Sequence, residues 1–152
     1  LGGGCDVACS CDVRTASDRS RFGTPEINLG LIPGYGATQR LVGLVGYGKT
    51  MEMIMTGEMV HAEEAHRIGL ANHVCTPEEL HSFTLKMAQT IGSKSSNTLR
   101  VGKATIRAAL DIGLTEGVAL EAEAFASLFD SKDKEIGVNA FLNRTTPEWE
   151  HQ

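Results

Sequence analysis

Hydrophobic and polar positions divide the chain into a loop-rich first part and a helical second part. Up to about residue 57, apolar runs are short, and glycine or proline separates them. Small apolar residues predict a first helix, β-branched residues predict short strands, and glycines 46 and 57 mark two helix ends. The predicted elements are helices over residues 4–11, 37–45 and 49–55, and strands over 12–16 and 21–23.

The second part has apolar positions that recur at helical spacing. Thr76-Pro77-Glu78-Glu79 predicts a helix start, with an N-cap, a proline at the first position and a glutamate at the third. Leu80, Phe83, Met87 and Ile91 then fall on one face. The remaining predicted elements are helices over residues 62–68, 97–112, 116–129 and 137–142, and a strand over 72–75.

Composition and charge narrow the class of protein. The 152 residues are 41% hydrophobic and 22% charged, which suits a globular domain, and the net charge of −5 argues against nucleic acid as a partner. No apolar segment is long enough for a membrane helix. The four cysteines show neither zinc-ligand spacing nor a C-x-x-C pair, so we interpret them as reduced, buried thiols and predict no metal site.

The first residues, Leu1-Gly2-Gly3-Gly4-Cys5-Asp6, have the features of a helix N-terminus that binds an anion. The first N–H groups of a helix have no intrahelical acceptor, and glycines let a ligand approach the backbone closely. Glycines that only permit tight packing are the alternative. Asp6, one turn into the helix, is either a catalytic carboxylate or an exposed acid that complements the helix dipole.

A second carboxylate, Glu26, follows Pro25 at the start of an irregular loop. The proline restricts the backbone and can direct the glutamate side chain. Together Asp6 and Glu26 would form an acid/base pair, whereas a loop salt bridge is the alternative for Glu26 alone.

Other chemistry-bearing residues receive structural interpretations. We expect Met51, Met53, Met55 and Met59 to fill a gap between helices. Arg14, Arg19, Arg21 and Lys103 are interpreted as solvated charges rather than phosphate ligands.

The combination of these motifs resembles the enoyl-CoA hydratase/isomerase (crotonase) superfamily. The resemblance rests on "LGGGCD" followed by "FGTPEINLGLIPGYGATQRL", then on "TGEMVHAEEAHRIGLANHV", and finally on "LEAEAFASLFDSKDKEIGVNAFLNR". These motifs extend over essentially the whole chain, and the combination is specific.

The resemblance implies a role for each matching residue. Gly3 matches the glycine whose N–H forms part of an oxyanion hole, and Glu26 matches the glutamate that transfers a proton at the substrate carbon. Asp6 matches a second catalytic carboxylate, which in hydratases activates water. The substrate-binding positions would be Gly2, Gly4, Pro25 and Gly34. No cofactor is implied, because coenzyme A is part of the acyl-CoA substrate.

One departure from the family pattern affects the proposed chemistry. Asp6 stands where hydratases usually have glutamate, so its carboxylate is one methylene shorter. Dienoyl-CoA isomerases pair aspartate with glutamate at the positions of Asp6 and Glu26, but they also have an aspartate where this chain has Gly34. That difference argues against dienoyl-CoA isomerase activity.

The resemblance predicts an α/β fold with the crotonase ββα superhelix, of which this mostly helical chain would be the C-terminal part. Residues 1–60 would complete the catalytic core, and residues 61–152 would form a helical trimerisation region. We therefore expect a homotrimer or a hexamer, and an isolated chain of low stability.

The predicted activity is syn addition of water to a 2-enoyl-CoA thioester. The alternatives are double-bond isomerisation, which needs only Glu26 and the oxyanion hole, and a non-catalytic binding or assembly module, which could be RNA-associated. The expected location is the cytoplasm. The alternative is the mitochondrial matrix, with any transit peptide lost with a missing N-terminus.

Overall fold

Eight α-helices, one 3₁₀ helix and four short strands form the chain, and the computed structural model describes all 152 residues. The 3₁₀ helix spans Pro25–Leu29. The strands are β1 (Thr15–Ser17), β2 (Arg21–Phe22), β3 (Val60–His61) and β4 (His73–Cys75). The helices are α1 (Gly3–Ser10), α2 (Ala37–Val45), α3 (Tyr47–Thr56), α4 (Ala62–Arg67), α5 (Pro77–Gly92), α6 (Ser96–Ala108), α7 (Leu114–Ser127) and α8 (Lys132–Asn143).

The residues form two units, Leu1–Leu85 and Lys86–Gln152, with the division inside α5. In the first unit β1 pairs in parallel with β4, so that Ala16 lies opposite Val74. Strand β2 pairs antiparallel with β3, and Phe22 lies opposite Val60. Each sheet therefore joins a strand that follows α1 to a strand from beyond α3.

The core of the first unit lies between α1, α2, α3 and α4. Ala37 and Leu41, four residues apart on α2, are fully buried because that spacing places them on one helix face. They join Met53 and Ile54 of α3 and Ala65 of α4 in one apolar cluster. Helix α2 packs against both α1 and α3, and this packing places its N-terminus beside the first turn of α1.

Arg14 fixes the segment between α1 and β1. Its guanidinium is buried and donates to the backbone oxygens of Cys11 and Leu70. The interpretation of Arg14 as a solvated charge was therefore wrong, because its side chain is buried and pairs with backbone carbonyl groups.

In the second unit, the chain after α8 folds back over the unit's own helices. The carboxylate of Asp133, at the start of α8, accepts hydrogen bonds from the Ser95 hydroxyl and from the backbone N–H groups of Glu150 and His151, at 2.5, 2.8 and 3.0 Å. The Trp149 indole donates to the Ser93 carbonyl at 2.7 Å. Three donors thus converge on one buried carboxylate and fix the C-terminal residues in place.

Most predicted helix ends agree with the structure. Helix α2 spans the predicted residues, and Gly57 ends α3 in the left-handed conformation. Thr76 and Glu79 form the expected reciprocal cap of α5. The pattern did not predict β3 or the 3₁₀ helix, which are too short for a periodic signal.

Two side-chain interpretations need correction. Of the methionines expected to fill a gap between helices, Met53 is buried, but Met51, Met55 and Met59 are exposed. All four cysteines are free, yet Cys11 is exposed and Cys75 is only half-buried.

Candidate active site

Helix α1 follows Gly2, a position where both the backbone conformation and the limited space favour glycine. Gly2 has φ +54° and ψ −133°, and a Cβ there would lie 3.1 Å from Oε1 of Glu26. Its N–H donates to the Gly23 carbonyl at 2.9 Å, and its own carbonyl accepts the N–H of Asp6 at 3.1 Å. The backbone hydrogen bonds of Gly2 thus connect the start of α1 to Gly23, the residue that follows β2.

The next residue, Gly3, presents a free donor. Its N–H belongs to the first position of α1 and donates to no acceptor in the chain. Gly3 is exposed, and the Tyr35 ring lies beside it, 3.8 Å from the position of a Cβ. An unpaired N–H at a helix N-terminus is suited to an oxygen that carries negative charge.

Glu26 reaches this turn from the 3₁₀ helix. Its Oε1 is the atom that lies against Gly2, and its Oε2 is buried without a hydrogen-bond partner. The 3₁₀ helix itself is fixed by α3, because the side chains of Ile27 and Asn28 lie 2.9 and 2.8 Å from the Cβ position of Gly57. Glycine at position 57 therefore lets the helix that carries Glu26 approach this closely.

Asp6 is more constrained than the sequence suggested. Its side chain is only 1% exposed, so the interpretation as an exposed first-turn acid is wrong. Oδ1 accepts the Ala37 N–H at 2.6 Å, which caps α2 because Gly36 at the N-cap has no side chain to do so. Oδ2 is buried and has no partner. One oxygen thus has a structural role, and the other is free for a ligand.

Thr24 is a further candidate residue of the site, and it was not predicted. It is fully buried at 0% exposure, and its hydroxyl has no partner although it occupies the N-cap position of the 3₁₀ helix. Asp6 Oδ2, Thr24 Oγ1 and Glu26 Oε2 are the buried side-chain polar atoms of this chain that lack a hydrogen bond. The one signal in the sequence was a threonine directly before Pro25-Glu26, which is typical of a capping residue.

At the other predicted substrate-binding positions, Pro25, Gly4 and Gly34, the surrounding structure places fewer restrictions on the residue type. Pro25 is half-buried at the first position of the 3₁₀ helix. A Cβ on Gly4 or Gly34 would meet no atom within 4 Å, so no neighbour in this chain requires glycine there. Their assignment to substrate binding stays a prediction.

Two thiols lie behind this turn. Cys5 and Cys9 are both buried on α1. A hydrogen bond from Cys9 lowers the pKa of Cys5 to about 7, although burial opposes that change. The same bond raises the pKa of Cys9.

The site holds no group of three or more His, Cys, Asp or Glu side chains that could bind a metal ion, and no such group occurs elsewhere in the chain. None of the helices has the length and apolar character needed to cross a membrane. The available chemistry is that of carboxylates, a hydroxyl and a backbone N–H.

Comparison with known proteins gives a consistent result. The family model for enoyl-CoA hydratase/isomerase matches residues 1–152. The chain is 41% identical over 144 residues to the crotonyl-CoA hydratase of Syntrophomonas wolfei and 40% identical over 144 residues to the short-chain-enoyl-CoA hydratase of Clostridium acetobutylicum. Each match covers 95% of this chain and 55% of the relative.

A solved structure shows the same fold. The crystal structure of enoyl-CoA hydratase from Bacillus anthracis superposes with a TM-score of 0.97 at 33% identity, covering 100% of this chain and 59% of that one. The expected crotonase-like α/β fold is thus confirmed. The chain spans little more than half the length of these relatives, and which part of them it represents stays a prediction.

Proposed function

Because the chain belongs to the enoyl-CoA hydratase/isomerase family, we propose that it carries catalytic groups of an enzyme that adds water to 2-enoyl-CoA thioesters. One observation carries the proposal. The buried oxygens that lack partners belong to Asp6, Thr24 and Glu26. Glu26 lies against Gly2, the Asp6 N–H donates to the Gly2 carbonyl, and Thr24 follows Gly23, whose carbonyl accepts the Gly2 N–H. Unpaired buried polar atoms cost about 1–3 kcal/mol each, so three such atoms on residues linked to Gly2, the neighbour of Gly3, favour a ligand-binding role.

In the proposed reaction, the Gly3 N–H donates to the thioester oxygen. This oxygen gains negative charge as water adds to the β-carbon and an enolate forms. A donor preorganised for such an oxygen contributes on the order of 100-fold to 1000-fold in rate. The resemblance to the family implies a second oxyanion donor in addition to Gly3.

The two carboxylates divide the proton transfers. The free Oδ2 of Asp6 orients the attacking water and takes its proton as the water oxygen bonds to the β-carbon. Glu26, protonated at the start, gives its proton to the α-carbon on the same face, which gives syn addition. Return of the proton from Asp6 to Glu26 through solvent restores both groups. The net change is loss of the carbon–carbon double bond and gain of one hydroxyl and one hydrogen.

The second candidate function is double-bond isomerisation, and the contact between Asp6 and Ala37 favours it. Because Asp6 Oδ1 is held by the Ala37 N–H at 2.6 Å, only one oxygen remains for water. Isomerisation requires only that Glu26 move a proton between two carbons while the Gly3 N–H stabilises the enolate. It therefore does not depend on Asp6.

Two variants separate these functions when the gene product is assayed at its natural length. Glu26→Gln should lower hydration of crotonyl-CoA by at least about 100-fold, since it removes the acid/base group. Asp6→Asn keeps a carbonyl oxygen for the Ala37 N–H but loses the negative charge, so it should impair hydration and leave isomerisation of a 3-enoyl-CoA nearly intact.

Asp18→Asn is the matched control, because Asp18 is an exposed acid in a turn. It should behave like the natural protein in both assays. If Glu26→Gln retained full activity in both assays, the proposed chemistry would be wrong.

We further propose that the chain is a C-terminal portion of the enzyme and that the enzyme acts on acyl-CoA. The proposed assembly is a homotrimer or a hexamer, with residues 61–152 as the trimerisation region. Large apolar side chains exposed on the second unit support assembly, and these are Ile106, Leu110, Leu114, Phe125 and Phe141. Intact mass and size-exclusion chromatography test both points, and a stable, monomeric species of 16.3 kDa would contradict them. The cytoplasm stays the proposed location, with the mitochondrial matrix as the alternative.

A further inference from the structure

The phenol ring of Tyr35 lies directly beside the free donor of α1. Its Cδ2 and Cε2 atoms are 3.8 and 3.9 Å from the position that a Cβ on Gly3 would occupy. Tyr35 is 78% exposed, although it is a large aromatic residue. A ligand oxygen on the Gly3 N–H would therefore bring its neighbouring groups into van der Waals range of this ring.

The backbone around Tyr35 is held at three points. The Arg40 guanidinium donates to the Tyr35 carbonyl at 2.6 Å, and it folds over Gly36, where a Cβ would overlap it. Gly36 has φ +101°, a conformation that L-residues rarely adopt. Pro33 is buried before the ring, and the Ala37 N–H is bonded to Asp6 after it. The backbone that carries the ring is thus held by the fold, which limits the positions that the ring can take beside Gly3.

We propose that Tyr35 is a specificity-determining residue whose ring forms one wall of the acyl-binding surface. The inference rests on the proposed function, because it takes the Gly3 N–H as the thioester-binding donor. A ring fixed beside that donor excludes acyl groups with more bulk near the thioester. Apolar pockets discriminate by about 10-fold to 200-fold for one methylene that does not fit.

The test measures binding and turnover separately in the gene product at its natural length. Dissociation constants are measured by calorimetry for saturated thioesters that cannot be hydrated: acetyl-, butanoyl-, 3-methylbutanoyl- and hexanoyl-CoA. Tyr35→Ala should shift the ratio of affinities towards the larger acyl groups by about tenfold. Tyr35→Phe keeps the ring and should retain the natural ratio. Tyr47→Ala, which removes another exposed tyrosine, is the matched control.

The outcomes distinguish this inference from the proposed function. If the natural protein hydrates crotonyl-CoA but Tyr35→Ala leaves the affinity ratio unchanged, the role of Tyr35 is wrong and the function stands. If the ratio shifts without any hydration, the role of Tyr35 stands and the hydratase proposal is wrong. If the natural protein binds none of the thioesters, both are overturned.

Discussion

Substitution of Gly2 by alanine tests whether the start of α1 sets the position of Glu26. The φ of +54° and ψ of −133° lie in a region that residues with a Cβ rarely occupy, which costs about 1–3 kcal/mol of folding free energy. The added Cβ would also lie 3.1 Å from Glu26 Oε1, so the carboxylate or the helix must move by a few tenths of an ångström.

The activity should respond more strongly than the stability. A displacement of about 1 Å can lower a rate by on the order of 100-fold, so we expect a decrease in kcat of about tenfold for this smaller displacement. The KM should change little, because the role proposed for Glu26 is at the reacting carbon and not at the coenzyme portion. Steady-state hydration of crotonyl-CoA and urea denaturation measure the two effects.

Gly48→Ala supplies the matched control in the same unit. Gly48 lies inside α3, and a Cβ there would meet no atom within 4 Å, so alanine should stabilise the helix by about 0.5–1 kcal/mol. It should leave kcat unchanged. If Gly2→Ala matched this control in both stability and kcat, the proposed link between the α1 start and Glu26 would be refuted.

Two further predictions concern the second unit and α5. Burial raises the pKa of Asp133, but the Ser95 hydroxyl and two backbone N–H groups outweigh it and hold the pKa below its ordinary value of 3.8. The carboxylate therefore stabilises the C-terminal residues above that pH, and this contribution is lost as the pH falls through the folded-state pKa. The fluorescence of Trp149 should shift to the red as the pH falls through this pKa. Asp133→Asn should abolish the acid-induced shift. If the variant showed the same pH dependence of fluorescence as the natural protein, another group would be responsible. Thr76→Ala removes the cap of α5 and should lower the free energy of unfolding by about 0.5–2 kcal/mol. Urea denaturation measures this change. An unchanged denaturation midpoint would show that the cap does not stabilise the protein.

The helices could be predicted because their signals are local. Thr76 and Glu79 are three residues apart, so the cap of α5 is visible in the sequence and present in the structure. Gly57 likewise marks the end of α3. Strand β3 could not be predicted in this way, since two residues show no periodicity and their pairing with β2 joins positions about 40 residues apart.

In the candidate site too, some features could be predicted from the sequence and others depend on packing. Gly3, Asp6 and Glu26 were identifiable from their residue types and motif context. The contact between Asp6 and Ala37, however, depends on how α2 packs against α1, and it changes which carboxylate oxygen is free. Thr24 was missed because a threonine at a cap normally bonds locally, and only the structure shows that its hydroxyl does not.

The sequence by itself determined the family, the identity of the acidic residues and most helix ends, because each depends on residues close together in the chain. The tertiary structure alone decided that Glu26 lies against Gly2 and that the Tyr35 ring lies beside Gly3. Those contacts arise from packing between segments more than 20 residues apart. Local propensity does not determine such distances, because they depend on how the helices fill the core between them.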